Sequence, residues 1–317
     1  MQVKSYISVK AKPLVSIITL NWNQTNATCK LLESTSKLTY ENYEVLVCDL
    51  GSAVDPTFTI LAGGYKNVRV LQPDHTKKLR GLNRAIAEAK GEFVLLLNNN
   101  SVVSENLVEE LLQPLRENSA LGATCPKVVS YQDNKLIHFA GYKRMNLLTG
   151  RNTIIGYKKT DNGQYDEPSL IHGIYTGAVM IRKKIVENTE AFSENFFVYF
   201  NDSDISAHIL RKGYKIQYQP RTLVYNNDVI RYDRKSPVYV YYTTRNRILS
   251  MRRNTSLFQF SVFMVFFIFM GIPVTTLKFI LFGQFAHLQS FFKGIAWNFR
   301  HNGLPAGKLI FARQTVK

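Results

Sequence analysis

The sequence predicts an α/β chain in which a mostly parallel sheet carries helices on both faces and is followed by an apolar helical segment. Short apolar runs alternate with amphipathic stretches from Val15 onward, the pattern of repeated strand and helix units. Polar clusters stand directly after the strand candidates, at Asn21–Asn23, Asp49–Ser52 and Asn98–Ser101, where open parallel sheets bind ligands. Between Arg253 and Lys278 no Asp, Glu, Lys or Arg occurs, and Leu257–Met270 is almost wholly apolar.

Taken in order, Leu14–Leu20 reads as a buried strand, Thr25–Lys37 as a helix, Tyr43–Asp49 as a strand and Pro56–Tyr65 as a helix. The alternation continues with a strand at Asn67–Leu71, a helix at Gly81–Lys90, a strand at Glu92–Leu97 and a helix at Ser104–Arg116 with Ser104 as its N-cap. From Val128 to Ile174 the periodicity fades and Lys, Asn, Gly and Tyr accumulate, so a loop-rich insertion over the site is expected there. Gly177–Arg182 is a strand again, Asp202–Lys212 a helix, and Tyr214–Tyr218 a strand that Pro220 closes. Ser236–Arg253 reads as a helix with Pro237 in its first turn and a basic end. Beyond it, Gly271 and Pro273 are expected to break the apolar stretch, which leaves a kinked span, a helix pair in the interface and a buried core helix all open. Phe279–Phe285 is apolar, and His287–Arg300 interleaves aromatics with Lys293 and Arg300, the composition of a helix at headgroup level. This division makes residues 1–235 the α/β domain and 236–317 a membrane-associating helical region.

Forty Lys and Arg against 23 Asp and Glu leave a net charge of +17, although only 20% of the 317 residues are charged. Such a surface attracts phosphates, whether of nucleotides, nucleic acid or anionic lipid. Nucleic acid is the weakest of these partners, because the chain has no helix-turn-helix, RRM or zinc motif. Cys29, Cys48 and Cys125 are odd in number and form no CxxC pair, which argues against a disulfide framework or a zinc site and fits a reducing cytosol. Met1–Pro13 mixes Lys4, Lys10 and Lys12 with polar residues and has no continuous apolar run, so a cleaved secretory signal is not expected.

Five segments carry a recognisable pattern in order: VSIITLNWNQ (Val15–Gln24), YEVLVCDLGS (Tyr43–Ser52), AKGEFVLLLNNNS (Ala89–Ser101), TGAVMIRKK (Thr176–Lys184) and FFVYFNDSDIS with LRKGYKI (Phe196–Ile216). The pattern resembles the family 2 glycosyltransferases, specifically their bacterial rhamnosyltransferase-like branch, and Ser236–Asn254 with the aromatic tail resembles the end of those enzymes. The resemblance implies a GT-A, Rossmann-like fold, with a nucleotide-sugar half over about residues 13–127 and an acceptor half over about 128–235. It also implies inverting transfer from a UDP- or dTDP-linked donor to a lipid-linked or surface-polysaccharide acceptor. The enzyme would sit on the cytoplasmic face of the cell membrane, held to an anionic surface.

Inverting transfer needs a carboxylate as general base and positive charge to stabilise the departing diphosphate. By its position in Asn201-Asp202-Ser203-Asp204, Asp202 matches the family's base, against the plainer reading that it caps the helix that follows. Asp204 is then a neighbouring structural or sugar-lining carboxylate. Asp49 matches the acid that holds the donor's base or ribose; Asn21, Trp22 and Asn23 line the same pocket, with Trp22 equally suited to core packing. Asn98 falls where the diphosphate arrives, while Thr176 and Gly177 line the sugar or acceptor, Gly177 by admitting close backbone approach. His172 is a weaker candidate for an acceptor contact.

The departures from the family pattern concern charge. Asn100 stands where relatives carry a metal-binding acid, Asn226 where many carry a histidine ligand, and Asn201 where the acidic motif begins. Amide oxygens bind a hard cation less well than carboxylates, so no metal is firmly implied and Mg²⁺ or Mn²⁺ would lean on the donor diphosphate. Where relatives have a glycine-rich loop, this chain has His75-Thr76-Lys77-Lys78-Leu79-Arg80. Lys77, Lys78 and Arg80, with Arg245 or Arg247, are therefore candidates to neutralise the diphosphate, against their reading as solvated surface charges. The same losses support a second function, a catalytically silent relative that binds nucleotide sugar, glycan or a partner enzyme.

Overall fold

The computed structural model describes residues 12–72, 78–187, 192–193, 196, 199–227 and 236–301. Three βα steps and a fourth strand open the chain: β1 (Val15–Asn21), α1 (Thr25–Thr35), β2 (Tyr43–Asp49), α2 (Thr57–Ala62), β3 (Val68–Leu71), α3 (Lys78–Glu88) and β4 (Phe93–Leu97), then β5 (Ser101–Val103) and α4 (Leu107–Glu117). β1, β2 and β4 are buried apolar runs bounded by polar residues, and β1 to β4 pair in parallel across helical crossovers. The second half supplies β6 (Leu121–Ser130), β7 (Ile137–Phe139), β8 (Ser169–Ile171), β9 (Ala178–Arg182), the short α5 (Lys183–Val186), α6 (Asn201–Arg211) and β10 (Lys215–Asn226).

All strands join one sheet in the order β3-β2-β1-β4-β9-β6-β10-β5, with β7 on β6 and β8 on β10. Most of the core pairing is parallel, but β9 runs antiparallel between β4 and β6. That reversal positions the site. Because Leu97 pairs with Ala178, the start of β9 lies at the edge where β4 ends, and Thr176 and Gly177 come to rest beside Asn98.

Three sequence expectations change. Ser104 does not cap α4: the cap position is Asn106, without a side-chain cap bond, and the Ser104 carbonyl accepts from the Leu107 amide. Pro220 does not close a strand, since β10 continues to Asn226. The pairing with β6 steps from Gln219 opposite Pro126 to Leu223 opposite Lys127, so a bulge absorbs the proline that a regular ladder would reject. The region after Val128 is loop-rich as expected, yet it begins inside the fully buried β6, which lacks a sequence period because both its faces are covered.

The C-terminal part is helical: α7 (Pro237–Asn254), α8 (Leu257–Phe266), α9 (Ile272–Leu281) and α10 (Phe285–Arg300). Ser236 caps α7 by accepting from the Tyr239 amide, and Ser256 with Gln259 forms a capping box on α8. Gly271 and Pro273 do not break the apolar stretch. A π-helical segment at Phe267–Gly271 joins α8 to α9, a wider turn that accommodates the missing proline N–H. The result is one helix of 25 residues, Leu257–Leu281, with mean hydropathy 2.2 over its best window. Phe263, Phe267 and Phe279 bury against Phe291 and Ile295 of α10 and Ile248 and Met251 of α7, forming a second apolar cluster beside the sheet core. The opposite face is open, with Phe258 78% and Phe269 72% exposed.

Candidate active site

The carboxyl ends of β1, β2 and β4 present a continuous polar strip. At its β2 end, Asp49 is 5% exposed. Its Oδ1 accepts from Asn21 Nδ2 at 2.7 Å and Ser52 Oγ at 2.6 Å, and its Oδ2 from the backbone N–H groups of Gly51 at 3.1 Å and Ser52 at 2.8 Å. A carboxylate offers about four lone-pair sites, so Asp49 is saturated by Asn21 of β1 and three donors of its own loop, and holds the β2–α2 turn. Asn23, in the left-handed region at φ 54, accepts from the Ala53 amide at 2.7 Å and donates its own backbone N–H to Ser52 Oγ at 2.8 Å. Trp22 between them is 62% exposed, so it stands at the rim of the strip and is not core packing.

The strip continues through Asn21 Oδ1, which accepts from Thr28 Oγ1 at 2.8 Å, to Asn99, whose amide donates to Thr28 Oγ1 at 3.2 Å. Beyond it Asn98 Nδ2 and Asn226 Nδ2 both donate to the Tyr175 hydroxyl, at 3.0 and 2.9 Å. Asn100 Nδ2 donates to the Asn227 carbonyl at 2.6 Å. A β-carbon on Gly177 would stand 2.5 Å from both Asn98 Nδ2 and the Tyr175 ring, so the residue is glycine because two site side chains close over it.

Asp202 joins this end of the strip. Its Oδ1 accepts from both the backbone N–H (2.9 Å) and the hydroxyl (2.6 Å) of Thr176, and its Oδ2 from the Tyr142 hydroxyl at 3.2 Å. The carboxylate therefore reaches across to the segment before β9, while the cap position of α6 is Phe200, with no side-chain cap bond. Tyr199 and Phe200 both hold left-handed conformations, φ 63 and 65, which aromatic side chains rarely adopt; backbone strain is concentrated directly before Asp202. Burial, reinforced by the Asp202 charge, pushes the Tyr142 phenol well above its ordinary value, so it remains a hydrogen-bond donor at neutral pH.

Other sequence candidates sit elsewhere. Asp204, 3% exposed, turns toward α7, where it pairs with Arg253 at 3.2 Å and accepts from Asn254 Nδ2 at 2.8 Å, the structural role of the two the sequence offered. Arg245 is buried with its guanidinium 4.5 Å from the Trp297 ring centroid and 5.1 Å from that of Tyr242, packed between α7 and α10. His172 is exposed beside the strand β8. His75, Thr76 and Lys77 lie outside the described residues, and only the helical backbone of Lys78 and Arg80 is described. Sequence reasoning missed Tyr142, Tyr175 and Thr28. Tyr175 was legible only as the neighbour of Thr176-Gly177, and Tyr142 sits in the aperiodic insertion with no signal at all.

The donors present do not fit a protein-held divalent cation. Among the described residues no group of three His, Cys, Asp or Glu could hold one. Asn226 Oδ1 and Asn201 Oδ1 are buried without a hydrogen-bond partner, but both are neutral amide oxygens.

Comparison with solved structures places this architecture. It superposes on the first 349 residues of S. aureus TarS with TM-score 0.55 at 17% identity, covering 88% of this chain and 80% of that one. A mannosyltransferase from Pyrobaculum calidifontis, in complex with GDP-Man and Mn²⁺, gives 0.54 at 14%, covering 94% and 78%. GalNAc-T7, with UDP, GalNAc and Mn²⁺, gives 0.59 at 15%, covering 76% and 48%. The fold is a mixed α/β, GT-A-like fold with a mostly parallel sheet, and the class is that of the glycosyltransferases.

The family model for glycosyl transferase family 2 matches residues 16–189, more than half of the chain, and the protein belongs to that family. Among curated relatives, it is 29% identical over 107 residues to the Escherichia coli UDP-Glc:alpha-D-GlcNAc-diphosphoundecaprenol beta-1,3-glucosyltransferase WfgD. It is 29% identical over 110 residues to glycosyltransferase GlyG of Streptococcus pneumoniae. These matches take in 33% and 34% of this chain and span only 42% and 36% of the relatives' lengths.

Proposed function

We propose that this glycosyltransferase belongs to the rhamnosyltransferase-like branch and moves a sugar, with inversion, from a UDP- or dTDP-linked donor to a lipid-linked or surface-polysaccharide acceptor at the cytoplasmic face of the cell membrane. Residues 1–235 are the catalytic domain and 236–317 the part that associates with an anionic membrane surface. The observation that carries the reading is the placement of Asp202 where Thr176, Tyr142 and, through Gly177, Asn98 meet at the edge of the sheet.

In the proposed reaction the acceptor oxygen bonds to the anomeric carbon as the bond from that carbon to the phosphate oxygen breaks. The acceptor proton passes to Asp202, and the nucleoside diphosphate leaves with the electron pair. Thr176 holds the carboxylate through Oδ1 with two donors, which fixes its orientation toward the acceptor side. Lipid-linked acceptors are supported by the diphosphoundecaprenol-linked acceptor of the E. coli relative and by the open apolar face of the Leu257–Leu281 helix. Any Mg²⁺ or Mn²⁺ would be bound mainly by the donor diphosphate, and Lys77, with Lys78 and Arg80 in the first turn of α3, would supply positive charge.

The test is transfer by the full chain in phospholipid nanodiscs, from UDP- and dTDP-sugars to an extracted lipid fraction, with the product anomer read by NMR and donor binding measured with and without EDTA. Inverted product and donor binding that changes less than about threefold in EDTA are expected. No transfer from any donor, with donor binding retained, selects the second reading, a catalytically silent relative; the amide-only set at Asn98, Asn100 and Asn226 is what favours that reading.

A further inference from the structure

The hairpin inside the insertion is anchored at one end of the apolar cluster. Tyr142 bridges Ile154 and Asn146 bridges Arg151, and the hairpin packs on the apolar cluster through Met145 and Leu147. Gly150, at φ 60, lies so close that a β-carbon would meet Met251 Cγ at 2.8 Å and Arg247 Cγ at 3.2 Å. The residue after this contact is Arg151, and Asn152 Nδ2 donates to Ser203 Oγ at 3.1 Å, next to Asp202. The hairpin thus ties the neighbourhood of the candidate base to the apolar helix.

Arg247 is the anomaly in this neighbourhood. Its guanidinium lies 4.8 Å from the centroid of Phe267, in the middle of the apolar helix, and its Nε is buried with no hydrogen-bond partner. A buried guanidinium N–H without an acceptor is costly, and such groups are normally paired. Burial, with the nearby Arg151 charge, pulls Arg247 down to about 10, so it is still a cation at neutral pH. No acid can compensate it from nearby sequence. The insertion has Lys135, Lys143, Arg144, Arg151, Lys158 and Lys159 between Asp133 and Asp161 without one Asp or Glu, and none occurs from Ser236 to Lys317. Arg151 itself is exposed, so the pair opens from water inward to the edge of the apolar helix.

We propose that Arg247 and Arg151 hold the phosphate of a membrane-embedded acceptor lipid, presenting its head to Asp202 while its hydrocarbon chain runs along the exposed face of the Leu257–Leu281 helix. The shape of the pair suits this chemistry: an arginine fork binds phosphate oxygens in two places, and a lipid phosphate is the anion found at the junction of polar and apolar surroundings. The inference rests on the lipid-linked acceptor proposed above, but it concerns binding and needs no turnover.

The probe is farnesyl diphosphate, titrated against the full chain in phosphatidylcholine nanodiscs. Arg151→Gln and Arg247→Gln should each weaken its binding about tenfold, Arg247→Lys less, while binding of the nucleoside diphosphate changes less than about twofold. Undiminished farnesyl diphosphate binding in Arg151→Gln overturns the proposal. So does inorganic diphosphate that competes with equal affinity, which would mark a free-phosphate site, or a loss confined to vesicles containing phosphatidylglycerol, which would mark a bulk headgroup site. Because Arg151 is exposed, its variant carries the test if Arg247→Gln does not fold. Failure of sugar transfer with intact, arginine-dependent farnesyl diphosphate binding would sink the transfer reading and leave this site standing.

Discussion

Replacing Asp202 with Asn separates a base from a brace. The amide oxygen can still accept from the Thr176 N–H and hydroxyl, at 2.9 and 2.6 Å in the native protein, so the tie between α6 and the segment before β9 survives. Among the described residues, the 3.2 Å bond from Tyr142 must rearrange, because an NH₂ group now faces a hydroxyl. One neutralised hydrogen bond of this length is worth about 1 kcal/mol, a loss of a few degrees in Tm. Removing the proton acceptor has a different scale. General bases contribute roughly 10²–10⁴ in rate, or about 2.7–5.4 kcal/mol of barrier. The expected variant is therefore folded, binds donor within about threefold of wild type, and transfers sugar at least about a hundredfold more slowly per folded molecule. Radiolabelled transfer normalised to donor-binding sites, with a melting curve on the same sample, reads both quantities. A rate per folded molecule within about threefold of wild type would refute the assignment and leave Asp202 a structural acid.

Asp204 should behave oppositely. Burial raises it above its ordinary 3.8 despite Arg253 and Asn254, so its contribution to stability is present below that value and is lost as pH rises through the raised native one. Asp204→Asn, which keeps an acceptor for Asn254, should gain on wild type in urea midpoint between pH 4 and 7, whereas Asp204→Ala should lose about 2–3 kcal/mol at neutral pH; a constant difference between wild type and Asp204→Asn across pH would count against burial as the dominant cause. Gly177→Ala must push a methyl group into Asn98 and the Tyr175 ring, and a cost of about 1–3 kcal/mol with lost transfer is expected; wild-type melting and activity would show that the pocket yields. Replacing Phe258, Phe269 and Leu281 with Ser removes exposed apolar area without touching the buried cluster, so the chain should shift from the membrane to the soluble fraction on cell fractionation with its melting temperature within a few degrees, and unchanged partitioning would end the membrane role of this face.

The parts of the fold visible in the sequence are those where local pattern and burial agree. Tyr43–Asp49 is a strand with the predicted bounds, because an apolar run between turn residues is what a buried parallel strand requires. β6 was invisible for the complementary reason. It contains a glycine, Pro126 and the buried Lys127, whose charge is met by Asp161 at 2.7 Å and by Asp166 from the insertion, partners that no local window contains. The same logic divides the site. Asn21, Asp49, Asn98, Thr176 and Asp202 were legible because strand ends and the start of a helix position them. That Asp49 spends its lone pairs on Asn21 and its own turn was not, because the loop that closes on it has no periodicity. Arg245 looked available for phosphate until α10 returned to cover α7, with Asn298 donating to the Arg245 carbonyl at 3.0 Å.

That return also bears on how the apolar helix meets a bilayer. Twenty-five residues extend about 38 Å, enough for the hydrocarbon core of about 30 Å, so length alone admits a crossing. After the turn at Gly283, however, α10 runs back along the same cluster, and Arg252 Nη1 donates to the Asn298 carbonyl at 3.1 Å near its end. The two ends of the helical hairpin therefore lie together beside α7, on the side of the sheet domain. Phe285, Phe292 and Phe299 repeat at intervals of seven along the exposed side of α10, extending the apolar surface of α9. A hairpin that enters and leaves on one side can seat in a single leaflet without carrying Lys278, Lys293 and Arg300 through the bilayer, where each charge would be costly. Seated in that way, it would hold the proposed Arg151 and Arg247 site at the depth where lipid phosphates lie. On the proposed function, the excess of ten Lys and Arg beyond Ser236, without a single acid in that sequence, would draw the chain to an anionic membrane surface, where a hydrocarbon-bound acceptor would be found.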